Sequence, residues 1–169
     1  MNADLRHRIE PARSLPKKRD LVVEPKSDNL KHRDLTKKII GVFYDVYNEL
    51  GHGFLESVYE RALVIALGAT GIGVERQVPI AVWFRGQQIG DFRADLFVEG
   101  KVALELKAAR TIDEAHEKQL LNYLRATDIE VGLLLNFGIK PQFRRLVYEN
   151  ERKNIRVDPR ESAAEKVLT

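Results

Sequence analysis

The chain is predicted to be a mixed α/β (α+β) domain: a mixed β-sheet flanked by helices. Three observations predict this. Two helical periodicities come first, at 34–50 and 55–67. Three β-rich runs follow between 74 and 107. A further helical run then leads into a short, continuously apolar segment of the kind that forms a buried strand. With 169 residues, 44% of them hydrophobic, one compact domain plus some tail is expected.

Taken in order, Met1 to Arg33 carries Pro11, Pro16 and Pro25 among charges, with no sustained period, and reads as a disordered basic leader. It holds nine Lys/Arg against five Asp/Glu, whereas residues 34–169 hold 19 against 20. The basic excess therefore lies in the leader. Such a segment adds salt-sensitive attraction to phosphate, and it also fits a plain solvated tail. Asp34 to Leu50 places Ile39, Ile40, Phe43, Val46, Tyr47 and Leu50 at helical spacing, with Asp34 or Thr36 as N-cap. Gly51-His52-Gly53 breaks this helix. A second helix, Leu55 to Leu67, sets Leu55, Tyr59, Leu63 and Ala66 on one side, and Gly68 to Gly73 ends it.

Val74 to Phe84 is β-rich, with Val78, Ile80 and Val82 alternating; Pro79 suggests an edge position or a bulge. Arg85-Gly86 is a turn. Ile89–Val98 and Val102–Lys107 are two more strands, and Ile112–Thr127 is a helix. Val131–Asn136 is the buried strand. Phe143–Tyr148 fits a strand or a helix equally. From Asn150 the chain is charged and is expected to end in a frayed helix. The division is a leader at 1–33, a domain at 34–149 and a tail at 150–169.

Several classes are excluded. There is no cysteine, so disulfides and thiolate metal sites are ruled out. No apolar run approaches the roughly 20 residues of a membrane span. The N-terminal stretch lacks the apolar core of a secretory signal, so a cytoplasmic protein is expected. His52 and His116 are too few and too separated to suggest zinc. No phosphate-binding glycine loop or nucleophile elbow is present.

The most informative segment is the hairpin around Glu99-Gly100-Lys101. A two-residue loop would mix charged and apolar side chains on both faces. A three-residue loop, with Gly100 at positive φ, pairs Val98 with Val102, Leu96 with Leu104 and Ala94 with Leu106, making one face wholly apolar. The other face then pairs Phe97 with Ala103, Asp95 with Glu105 and Arg93 with Lys107. A one-residue slip destroys this separation, which favours the second register. Facing carboxylates have Cβ atoms ~4.5–5.5 Å apart and repel each other, so they call for a shared proton or a cation. Hard oxygen ligands suit Mg²⁺ or Mn²⁺.

An isolated D…ExK match is more often a solvated, ion-paired face. Here Glu105 and Lys107 alternate with Val102, Leu104 and Leu106 in a strand that looks central, where unpaired charge is costly. On the following helix Gln119 and Tyr123 share a face, with His116 one turn earlier. Glu56 opens the second helix, where a carboxylate also simply favours the helix dipole.

With those residues in place, GFLESVYERAL (Gly53–Leu63), Arg76–Ala108, His116–Thr127 and Val131–Gly138 resemble the GxxExxY protein family of the PD-(D/E)xK nuclease superfamily. The family's name motif stands here as Gly53, Glu56 and Tyr59. The resemblance implies a restriction-endonuclease-like core and Mg²⁺- or Mn²⁺-dependent hydrolysis of nucleic-acid phosphodiesters, of DNA more than RNA. It implies that Asp95 and Glu105 hold metal. The Leu106 carbonyl is a further ligand, and Glu56 acts directly or through water. Lys107 handles the attacking water. Gln119 and Tyr123 resemble the QxxxY motif of RecB-type nucleases and position Lys107 or a phosphate. Arg93, Arg144 and Arg145 contact the backbone or form salt bridges. Ala94 stands where the superfamily's proline precedes the aspartate. The alternative is a non-catalytic nucleic-acid-binding or protein-interaction module on the same fold. Oligomeric state is open, a homodimer included.

Overall fold

The computed structural model describes residues 30–153; the leader before residue 30 and the tail beyond residue 153 lie outside them. Helices α1 (Arg33–Leu50) and α2 (Glu56–Ala69) precede β1 (Val74–Phe84), β2 (Gln87–Val98) and β3 (Val102–Lys107). Helix α3 (Glu114–Ala126) then leads to β4 (Val131–Phe137) and β5 (Pro141–Val147), and a 3-10 turn spans Asn150–Arg152. The strands form one sheet in chain order. β3 and β4 are parallel and all other neighbours antiparallel, so the sheet is mixed, as expected. The parallel pair requires a crossover, and α3 is that crossover.

Two apolar layers sandwich the sheet. Ile39 and Phe43 of α1 and Leu63 and Leu67 of α2 pack on Leu96, Leu104, Leu133 and Leu135. On the opposite side Leu120 and Leu124 of α3 pack on Ala103, Leu134 and Leu146. β4 is buried at every position, which explains its unbroken apolar run. Midway along its length α3 comes close enough that a Cβ on Gly132 would lie 2.8 Å from Leu120 Cδ1. Among the described residues no helix is long and apolar enough to cross a membrane.

Several local expectations change. α1 starts at Arg33 with His32 at φ 55° and no side-chain cap; the Thr36 hydroxyl instead donates to the Arg33 carbonyl, and Asp34 lies in the first turn. Leu55 does not pack inward but is largely exposed, and Glu60 takes a place among the buried residues of α2. Phe143–Tyr148 resolves as strand, because β5 pairs with β4 from Pro141 to Val147 and closes the sheet edge. Pro79 does lie in an edge strand.

The hairpin register holds for Val98↔Val102, Phe97↔Ala103 and Leu96↔Leu104, with both Glu99 and Gly100 at positive φ. It then stops. The expected pairs Ala94–Leu106, Asp95–Glu105 and Arg93–Lys107 do not continue the ladder. Nor is one face wholly apolar: Leu96 packs under α1 and α2, but Ala94 packs with the α3 layer. β2 therefore rotates at Asp95. Its neighbour β1 is irregular at the same level, where Gln77 at φ 52° sits between the Arg76↔Leu96 and Val78↔Ala94 pairs.

Two glycine substitutions should act in opposite directions. A Cβ on Gly138 would collide with the Ala109 carbonyl oxygen, whereas one on Gly41, mid-helix in α1, meets nothing. Gly138→Ala is expected to destabilise by about 1–3 kcal/mol. Gly41→Ala should stabilise by roughly 0.5–1 kcal/mol through helix propensity. Urea unfolding of both variants measures the two signs.

Candidate active site

β3 runs through the middle of the sheet. Val102, Leu104 and Leu106 pack under α1 and α2, and alternation turns Ala103, Glu105 and Lys107 toward α3. Where the β2–β3 ladder ends, the Asp95 side chain takes over: its Oδ2 accepts the Leu106 N–H at 2.8 Å. In a strand, the N–H and C=O of one residue point to the same side. The Leu106 carbonyl is thus directed into the same gap, without the Ala94 pair that would have used it.

Glu105 is 2% exposed. Its Oε1 accepts from Lys107 Nζ at 2.7 Å, and Nζ also donates to Gln119 Oε1 at 3.1 Å. Gln119 Nε2 donates to the Tyr123 hydroxyl at 2.7 Å, and that hydroxyl donates to the Arg93 carbonyl at 3.1 Å. The i,i+4 spacing of Gln119 and Tyr123 thus ties β3 to β2 through α3. Glu105 Oε2 is buried and has no hydrogen-bond partner among the described residues; the Tyr123 hydroxyl lies close to this carboxylate but gives its proton to the Arg93 carbonyl.

Glu56 approaches from the other side. Gly53 at φ 107° permits the turn between α1 and α2. Buried Tyr59 ties that turn down: its hydroxyl donates to the Gly51 carbonyl at 2.7 Å and accepts the Phe54 N–H at 3.2 Å. Its ring stacks on Phe137, centroids 4.1 Å apart. Glu56 Oε1 then accepts the Ala108 N–H at 3.3 Å, just past the end of β3.

The electrostatics follow from this crowding. Burial above all, and then the Asp95 charge, push the Glu105 carboxyl up to about 7. Burial likewise raises Asp95, against the pull of the Leu106 N–H and Lys107. Burial disfavours the Lys107 ammonium, but its hydrogen bond to Glu105 and the charges of Glu105, Glu56 and Asp95 raise its pKa overall. Lys107 is held as a cation, suited to orienting a ligand rather than to taking a proton in this state. Tyr123 is pushed up to about 12, chiefly by burial, and keeps its proton.

Asp95, Glu105, Lys107, Gln119 and Tyr123 therefore converge, and Glu56 stands at the rim. Among the described residues no three His, Cys, Asp or Glu side chains group as metal ligands. The donor set is two carboxylates, one with an unpartnered buried oxygen, beside a backbone carbonyl. This fits Mg²⁺ or Mn²⁺, which take oxygen ligands and keep several waters.

His116 has a structural role: Asp113 and His116 form a capping box at the start of α3. Arg144 pairs with Glu117 at 3.6 Å, and Arg145 donates to the Lys31 carbonyl. Sequence reasoning missed two buried polar residues. Glu60 holds Arg76 at 2.7 Å and Gln77 at 2.6 Å, anchoring the irregular level of β1; its signal was the i,i+4 spacing from Glu56. Asn136 makes paired hydrogen bonds, both 2.9 Å, with the Ala109 backbone.

The pH dependence of metal-free stability tests this site. The folded pKa of Glu105 is above its ordinary value of 4.5. Between about 4.5 and about 7 the folded chain therefore binds more protons than the unfolded chain. The Glu105 contribution is fully present below that range and is lost as pH rises through it. Glu105→Gln removes this loss. Relative to wild type, the variant should gain up to about 3 kcal/mol between pH ~4.5 and ~8. Chemical denaturation of both proteins in chelator across that range measures it; a constant difference would show that Glu105 titrates normally.

A model of the PD-(D/E)XK nuclease superfamily matches residues 33–146. The solved structure "Crystal structure of SSO0001" aligns at 20% identity with a TM-score of 0.45, covering 70% of this chain and 60% of that one. This chain thus spans less than two thirds of that protein's length. No curated protein matches. The family match begins on the first residue of α1, ends inside β5 and takes in every residue of the converging cluster, and on that extent the chain belongs to the PD-(D/E)XK nuclease superfamily.

Proposed function

We propose that the chain is a Mg²⁺- or Mn²⁺-dependent nuclease of the GxxExxY kind, cutting phosphodiester bonds of nucleic acid, DNA in preference to RNA. The observation that carries this reading is the buried, unpartnered Oε2 of Glu105 beside Asp95, in the gap where β2 and β3 part. A carboxylate oxygen left bare in a protein interior is expensive unless a cation completes it.

In this reading Asp95, Glu105 and the Leu106 carbonyl would hold the metal, with Glu56 contributing directly or through water. A bound divalent ion lowers the pKa of water and stabilises charge on the scissile phosphate. Lys107, held by Glu105 and Gln119, orients the attacking water or a phosphate oxygen. Gln119 and Tyr123 act as the QxxxY pair that fixes the ammonium. Residues 34–149 form the nuclease unit.

The test is divalent-metal-dependent cleavage of single-stranded, duplex and branched DNA, and of RNA. Glu105→Ala and Lys107→Ala should each lose on the order of 10²-fold or more in rate. The reading is wrong if wild type cuts none of them or the variants cut equally well. Mn²⁺ should also raise the wild-type melting temperature, since an ion that binds only the folded state stabilises it. Asp95→Ala should abolish that rise. A metal-induced rise without any cleavage would favour a non-catalytic module.

A further inference from the structure

A groove lies beside the candidate site, between the β1–β2 hairpin and the C-terminal half of α3. Trp83, Phe84 and Phe92 line one wall and are exposed to 40%, 56% and 40%. Large aromatic rings on a surface are unusual unless something covers them. The same groove is lined by Arg85, Arg125, Arg152 and Lys153, and among the described residues no Asp or Glu lines it. Two of these cations are engaged. Lys153 donates to the Thr127 and Ile129 carbonyls, and Arg152 lies 3.7 Å from Glu149. Arg85 lies over the Phe84 ring at 5.0 Å, and Arg125 is exposed.

The groove borders the candidate cluster through one aromatic contact. The Phe92 ring lies 6.0 Å from that of Tyr123, the hydroxyl of which belongs to the Lys107–Gln119 chain. Arg125 follows Gln119 by six residues, ~9 Å along the helix axis.

We propose that this groove binds an unpaired nucleic-acid strand, stacking its bases on Trp83, Phe84 and Phe92, with Arg85 and Arg125 contacting phosphates, and leads it to the Glu105 site. The proposal rests on the nuclease reading and narrows its substrate to single-stranded or frayed ends. Exposed rings need exposed base faces, which a duplex keeps stacked. Arg85 and Arg125, in a wall with no acid among the described residues, match a polyanion. The chain's own tail matches it less well: residues 154–169 carry three Lys/Arg and three Asp/Glu, so they bring no charge complementarity.

Trp83 is the only tryptophan in the chain, so its fluorescence reports this groove directly. The full chain is titrated in chelator, where cleavage is off, with an oligo-dT strand of about 12 nucleotides. An abasic strand of the same length and a blunt, closed duplex are the comparators. Oligo-dT should quench Trp83 and bind several-fold more tightly than either. Phe84→Ala, and Trp83→Ala followed by labelled-oligonucleotide anisotropy, should each weaken binding at least roughly fivefold. Arg125→Ala should reduce the log–log salt slope by ~0.7.

Equal affinity for strand and duplex, equal affinity for the abasic strand, or no effect of the ring variants overturns the proposal. So does Trp83 emission already shielded from acrylamide in the free protein and insensitive to oligonucleotide, since the tail or a second copy then covers the rings. Glu105-dependent cleavage without these binding signatures leaves the nuclease reading intact and removes the groove. Quenching without cleavage supports the groove and removes the nuclease.

Discussion

The candidate site depends on the place where β2 and β3 stop pairing. An antiparallel ladder continued past Leu96 and Leu104 would use the Leu106 N–H and C=O on Ala94. Instead the Asp95 carboxylate takes the N–H, and the backbones separate. An unpaired backbone N–H inside a sheet would cost about as much as a lost hydrogen bond. Asp95 removes that cost while keeping a second oxygen for another partner. The parting also frees a carbonyl and makes room for a second carboxylate. A regular hairpin would have closed this space, so the irregularity is what makes the centre of the sheet usable.

Around that gap the structure opposes two tendencies. The face of β3 under α1 and α2 is wholly apolar and fully buried, which anchors the strand. The face toward α3 carries Glu105 and Lys107, which the interior disfavours. The cost is offset locally. Lys107 stays charged because Glu105 and its neighbours favour the cation. Gln119 and Tyr123 satisfy it and one another, ending on the Arg93 carbonyl. One oxygen of Glu105 is left over. Lys107, Gln119 and Tyr123 each have a hydrogen-bond partner, so the bare oxygen of Glu105 stands out within otherwise fixed surroundings.

The strand register near the turn was legible because period-two alternation leaves few options: Val98, Leu96, Val102 and Leu104 admit one pairing that separates apolar from polar. The rotation at Asp95 was not legible. It comes from a side chain replacing a backbone acceptor and from Gln77 at positive φ in the neighbouring strand, and neither leaves a trace in hydropathy. Asp95, Glu105, Lys107, Gln119 and Tyr123 could be grouped because spacing on a strand and on a helix constrains which side chains share a face. His116 could not be separated from them by spacing, since a capping histidine and a site histidine lie on the same helical turn. Glu60 was overlooked because its partners, Arg76 and Gln77, come from a strand after an intervening turn. The segment after β4 was ambiguous because only pairing with β4 decides it.

The parallel step between β3 and β4 explains why the candidate cluster and the aromatic groove share a helix. Parallel neighbours require a crossover, and the crossover must pack on the sheet face it passes. α3 therefore lies over Ala103 and Leu134 and carries Gln119 to Lys107. The same helix continues toward the hairpin, where Tyr123 meets Phe92 and Arg125 borders the exposed rings. The capping box at Asp113 sets where α3 begins, and Gly132 sets how closely it approaches the sheet. A shift of one helical turn would part Gln119 from Lys107 and Tyr123 from Phe92 together. The candidate cluster and the groove beside it are thus held in register by one element, on which neither can move alone.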